Sequence, residues 1–200
     1  MSPSQVIYQF VVTLLEIKPK IWRRIQISEE SSFWDLHVAL QDSMGWCDYH
    51  MHSFTLEEGK APVTIGIPDT ISETSADWER TLASYFHRPG DVCFYEYDFG
   101  DGWIHEVLLE GILLKEKRLK YPRCIAGERA CPPEDCGGVW GYYGLLEVLA
   151  DPQHEDYKDM IHWLKNHIKK YHPYNPDVFE PNKVKFRNPR EQLETLKANL

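Results

Sequence analysis

Residues 92–114 constrain the fold most. Two runs rich in aromatic and β-branched residues, one ending Tyr95-Glu96-Tyr97-Asp98-Phe99 and the other starting Trp103-Ile104-His105-Glu106-Val107, flank Gly100-Asp101-Gly102. An Asp-Gly pair between such runs is the signature of a hairpin with a two-residue type I′ turn. That turn pairs Gly100 with Trp103 and sets Asp98 across from His105, with Glu96 two residues back on the same face. A slip of one turn position pairs Glu96 with His105 instead. Acid and imidazole meet in either register, so the hairpin is the first place to look for chemistry.

The remaining pattern mixes strands with helices. Residues 6–17 and 21–27 read as a hairpin around Lys18-Pro19-Lys20, although Arg23 breaks the apolar alternation of the second strand. A helix follows, with Ser32 and Asp35 placed as a capping box, Phe33, Leu36, Leu40 and Met44 at helical spacing, and Gly45 as its stop. Further strands are expected over 51–58 and 63–67, with a turn at Gly59 and a loop over 68–75. A helix is expected over 77–86, an ordered loop over 121–138 and a helix over 140–150. Another helix is expected to be capped by Asp151 with Pro152 at its first position and a stripe of Tyr157, Ile161, Leu164 and Ile168, before a terminal helix over 189–200. The fold class is therefore α+β: a mixed or antiparallel sheet with helices mainly on one face and a ββα start. The expected organisation is one domain over 1–175 and a C-terminal extension over 176–200 that carries the terminal helix.

Charge and composition narrow the function. The net charge of −9 disfavours nucleic acid as a partner, because such a chain repels phosphate. No apolar run approaches the length of a membrane span, and residues 1–5 do not begin a signal peptide. Five cysteines, an odd number, suit free thiols or metal ligands better than a disulfide framework, so the expected setting is the cytoplasm. Walker A, Gly-x-Gly-x-x-Gly, Gly-x-Ser-x-Gly and His-Glu-x-x-His motifs are all absent.

Four groups could carry chemistry. Asp98 and His105, with Glu96 and Asp101 nearby, could bind a divalent cation or form a general base, since a carboxylate orients an imidazole and raises its basicity. His50 and His52 fall on one face if their segment is a strand. Cys124, Cys131 and Cys136 offer three thiols within thirteen residues, enough for part of a zinc site, although the two-residue spacing of a zinc knuckle is missing. The run from Pro132 to Gly138 adds Glu134 and Asp135 on a backbone stiffened by proline and released by glycine. His52, the hairpin and this run are expected to border one concave surface.

The segments Ile21-Trp22-Arg23-Arg24-Ile25, Phe33-Trp34-Asp35-Leu36-His37, and Gly45-Trp46 with His52-Ser53-Phe54 occur in that order. They are followed by Tyr97-Asp98-Phe99-Gly100-Asp101-Gly102-Trp103 with His105, then Tyr121-Pro122-Arg123-Cys124, then Cys131-Pro132-Pro133-Glu134-Asp135-Cys136-Gly137-Gly138. Together, over about residues 8–163, they resemble the plasmid pRi ORF-three-like family. The resemblance implies an α+β domain and supplies no activity, because that family is uncharacterised. Some of its relatives carry resolvase or repressor labels, but the serine-and-arginine cluster of a serine resolvase is not present. The leading expectation is a binding or accessory module of unknown partner. The alternative is a metal-dependent, hydrolase-like enzyme using His52, Asp98, Asp101 and His105, with zinc as the first candidate cofactor. A nucleic-acid-associated protein comes third.

Overall fold

The computed structural model describes residues 5–58, 61–68 and 74–199. The chain opens with antiparallel strands β1 (Val6–Leu14) and β2 (Ile21–Ser28), whose strict alternation sends Tyr8, Phe10, Val12, Leu14, Ile21, Ile25 and Ile27 to one buried face. Helix α1 (Phe33–Met44) then lies on that face. Its start is the expected capping box: Ser32 Oγ accepts from the Asp35 N–H and the Asp35 side chain accepts from the Ser32 N–H. Its end is Gly45 in the left-handed region at φ 91°.

Strands β3 (His52–Glu58), β4 (Ala61–Gly66) and β5 (Ser75–Ala76) follow, then β6 (Val92–Tyr97), β7 (Trp103–Leu114) and β8 (Arg123–Glu128). Among the described residues they form one sheet in the order β5-β4-β3-β6-β7-β1-β2-β8, antiparallel except for the parallel β4–β5 pair. Helices α2 (Gly138–Ala150), α3 (Tyr157–Asn166) and α4 (Pro189–Asn199) complete the α+β fold. The opposite sheet face is open to water. There Arg24 and Glu110 form a bidentate pair with two 2.7 Å contacts, with half-buried Trp22 next to Arg24, and elsewhere on the same face Phe94 and Ile104 are exposed.

Several local expectations change. The hairpin register is Tyr97↔Trp103 and Tyr95↔His105, so residues 98–102 form a five-residue connection in place of a two-residue turn. Neither Asp98 nor Glu96 faces His105. The reason is burial: this register turns Cys93, Tyr95, Tyr97, Trp103, His105 and Val107 into the core, whereas the expected one would have buried Glu96 and Asp98 and exposed two tyrosines. Strand β8 lies inside the stretch expected to be a loop. The expected helix over 77–86 is two single 3₁₀ turns, Asp77–Glu79 and Leu82–Ser84. Helix α3 starts after Asp156 and not at Asp151, and Ile168 lies beyond its end and is exposed. The turn at Gly59 and residues 69–73 of the expected loop lie outside the described residues. No described helix is long and apolar enough to cross a membrane.

Arg23, the residue that broke the alternation of β2, does point inward. Its Nε donates to the Ser43 carbonyl at 2.9 Å, and Nη1 donates to the carbonyls of Trp22 at 2.8 Å and Glu128 at 3.0 Å. It thus meets the negative end of α1 and ties β2 to β8.

Candidate functional site

The 98–102 connection is organised by Asp98 itself. Asp98 adopts φ 57°, its Oδ1 accepts from the N–H groups of Gly100 (3.0 Å) and Asp101 (3.2 Å), and its carbonyl accepts from Gly102 at 2.6 Å. An Asp side chain that bonds its own turn tolerates this backbone region. Oδ2 is left free to face His50, whose Nε2 lies 3.6 Å away. The same His50 Nε2 is 2.9 Å from Asp135 Oδ1. His50, Asp98 and Asp135 present donor atoms within 4.8 Å of one another, and no other set of three or more His, Cys, Asp or Glu does so among the described residues.

A buried carboxylate holds these three segments together. Glu134, 1% exposed, accepts from the Tyr97 hydroxyl and the Cys47 N–H, and its own N–H donates to the Tyr171 hydroxyl at 3.1 Å. The Tyr97 hydroxyl also accepts from the Tyr49 N–H at 3.1 Å. Tyr97 and Glu134 therefore pin the 47–51 segment against the 132–138 run, with His50 edge-on to the Tyr97 ring. The Asp98 N–H donates to the Met51 carbonyl at 2.9 Å, and the Gly137 N–H donates to Asp101 Oδ2 at 3.2 Å. Burial and the Glu134 carboxylate push the Tyr97 phenol far above its ordinary pKa, so it stays a donor.

Of the expected candidates, His50, Asp98 and Asp135 converge, while Asp101 and Glu134 position them. Glu96 is on the open sheet face opposite Ile104. His52 and His105 are in the core, so the grouping of His52, Asp98, Asp101 and His105 is not assembled. His50 and His52 part because the strand begins only at His52. The thiols of Cys124, Cys131 and Cys136 form no donor set of the kind above. Burial raises all three, Cys136 to about 12, and Cys124 Sγ donates to the Ala126 carbonyl.

His52 belongs to a second network that local pattern did not reveal. Its ring stacks on His37 at 3.5 Å and 8°, and its Nε2 is 2.7 Å from Asp77 Oδ2. His37 in turn reaches the Tyr95 hydroxyl at 2.8 Å and Asp48 Oδ1 at 2.7 Å. Burial, then His37, lowers the His52 pKa to about 4. Burial alone would raise Asp48, but His37 and Arg187 hold it down to about 2. His105 Nδ1 lies 3.2 Å from the Tyr95 carbonyl, and burial lowers the ring's pKa to about 4.

The converging trio sits among exposed apolar side chains. Tyr49 and Met51 flank His50 and are 63% and 43% exposed; Phe99 follows Asp98 and is 54% exposed. Beside Asp135 a cavity of about 430 Å³ opens between α2 and α3, floored by Leu145, Val148, Met160 and Trp163.

Comparison with known proteins gives a family and no activity. The family model described as plasmid pRiA4b ORF-3-like protein matches residues 6–183. The uncharacterized protein y4hQ of Sinorhizobium fredii (strain NBRC 101917 / NGR234) is 35% identical over 155 residues, covering 76% of this chain and 77% of its own. A crystal structure of a protein of unknown function, MM3350 from Methanosarcina mazei Go1, superposes with a TM-score of 0.81 at 39% identity. The match covers 90% of this chain and 98% of that one.

Proposed function

The chain belongs to the plasmid pRiA4b ORF-3-like family, and on that premise we propose that it is a binding module that engages its partner through a divalent metal ion held by His50, Asp98 and Asp135. The carrying observation is that three donors from three separate segments lie within 4.8 Å of one another, with Asp98 buried and its turn closed on itself. One imidazole and two carboxylates suit zinc or manganese, and three protein ligands leave a position for a ligand atom from outside. Exposed Tyr49, Met51 and Phe99 would supply apolar contact around that position. The five free thiols suit a reducing compartment, which supports a cytoplasmic setting.

Chelator-treated protein titrated with zinc or manganese, by calorimetry and by metal analysis after dialysis, tests this reading. One ion per chain is expected. Asp98→Asn retains the oxygen that closes the turn but removes the charge. It and His50→Ala should each weaken binding at least about tenfold, with unchanged circular dichroism. Absence of saturable binding, or binding indifferent to both substitutions, rejects the proposal.

A further inference from the structure

Arg23 is 1% exposed and has no carboxylate partner among the described residues. Three carbonyls take the protons of Nε and Nη1, and the Phe179 ring stacks over the guanidinium with its centroid 3.5 Å from Cζ. Nη2 makes no hydrogen bond to the described residues, and yet it is not among the sealed, partnerless nitrogens of the core. Arg23 lines a cavity of about 490 Å³ beneath the C-terminal segment. A buried guanidinium is costly unless charge or hydrogen bonds compensate it, and the helix-end carbonyls supply only partial charge.

The other charged groups of this cavity do not cancel Arg23. Asp42 is taken by Arg187 Nε at 2.6 Å, and Glu180 by Lys183 Nζ at 2.6 Å. Cys131, also in the wall, is buried, and burial raises its pKa, so it supplies no thiolate. Lys185, exposed at the rim, has no ion-pair partner among the described residues. Arg23, Lys183 and Lys185 stand against Asp42 and Glu180, so the lining carries one cation in excess, in a chain whose net charge is −9.

We propose that this cavity is a binding site for a small organic oxyanion, a carboxylate or phosphate group that Arg23 Nη2 grips from within and Lys185 from the rim, with Tyr171 and Tyr174 lining the space for the attached body. Guanidinium and ammonium groups bind both kinds of oxyanion through charge-assisted hydrogen bonds. Because the chain as a whole repels anions, saturable anion binding reports a local site and not a general field.

The site is independent of the metal reading and is tested without metal. Inorganic phosphate and succinate are titrated into the full-length chain at constant ionic strength set by sodium chloride, read by calorimetry and by melting temperature. At least one of the two should bind saturably at one site per chain and raise the melting temperature; which one identifies the head group. Lys185→Glu, an exposed change compatible with folding, should weaken that binding about tenfold or more. Arg23→Lys retains the charge but removes the Nη2 donor, and should weaken it comparably. If Arg23→Lys does not fold, the Lys185→Glu result decides. No binding of either anion, or binding that Lys185→Glu leaves intact, overturns the proposal.

Discussion

His52 and His105 occupy inward-facing strand positions where water does not reach, and an imidazolium there loses its solvation. Both are lowered to about 4, against an ordinary 6.5 in the unfolded chain. The unfolded state therefore binds more protons than the folded state between those values. The stability these residues confer is complete above pH 6.5 and is lost as pH falls toward 4, by about 3 kcal/mol for each imidazole. Asp48, held down to about 2, adds a further loss as pH falls from about 4 to about 2. Urea unfolding at a series of pH values should show stability falling steeply below 6.5, before carboxylate protonation alone would act. His105→Phe should fold and flatten part of that limb. A curve flat from pH 7 to 4.5, or unchanged by His105→Phe, contradicts this account.

Elements whose cause is local were legible in the sequence, and elements decided by distant contacts were not. The capping box of Ser32 and Asp35, the stop at Gly45 and the alternation of β1 and β2 each depend on neighbours a few residues away. The hairpin misled because Asp101-Gly102 is a strong turn signal, while the register obeyed the burial of Tyr95 and Tyr97. Strand β8 was hidden by the proline, glycine and cysteine punctuation around it. At the candidate site the residue types were visible, but the grouping was not: His50 meets Asp135 across 85 positions of chain, and no periodicity encodes that. What encodes it is close approach between elements. Gly138, at φ 67° where α2 begins, would place a Cβ 2.5 Å from the Asp101 carbonyl oxygen. Gly138→Ala should thus push α2 from the 98–102 turn. It should cost about 1–3 kcal/mol and weaken metal binding with it. Gly144→Ala, in the same helix with no atom within 4 Å of the added carbon, should be neutral or stabilising. Equal melting temperatures for the two variants would show that this contact does not position the site.

At the scale of the whole molecule, the sequence suggests a domain ending near 175 with an extension, and that extension makes buried contacts with the rest of the chain. The Pro176 carbonyl accepts from the Ala130 N–H at 2.9 Å, and Phe179 covers Arg23. Arg187 reaches Asp42 at 2.6 Å and Asp48 at 3.2 Å, and the Trp34 indole donates to the Pro189 carbonyl at 2.8 Å. Asp42 and Asp48 are nearly buried, so removing Arg187 leaves two carboxylates without their cation, one of them tied to the stacked histidines. Losing one partner of such a pair costs about 3–5 kcal/mol, far more than an exposed ion pair contributes. Helix α4 is different: it is mostly exposed and contributes chiefly the Pro189 bond and Lys197 over the Trp78 ring. A chain ending at 188 should therefore melt within a few degrees of the full chain. A chain ending at 175 should melt lower by on the order of 10 °C, because it loses Phe179 and Arg187 together. Arg187→Ala alone should account for much of that drop, and should raise the pH at which the Asp48 carboxylate takes up its proton. If the chain ending at 175 melts like the full protein, the segment after 175 is an appendage, and the compact unit is complete without it.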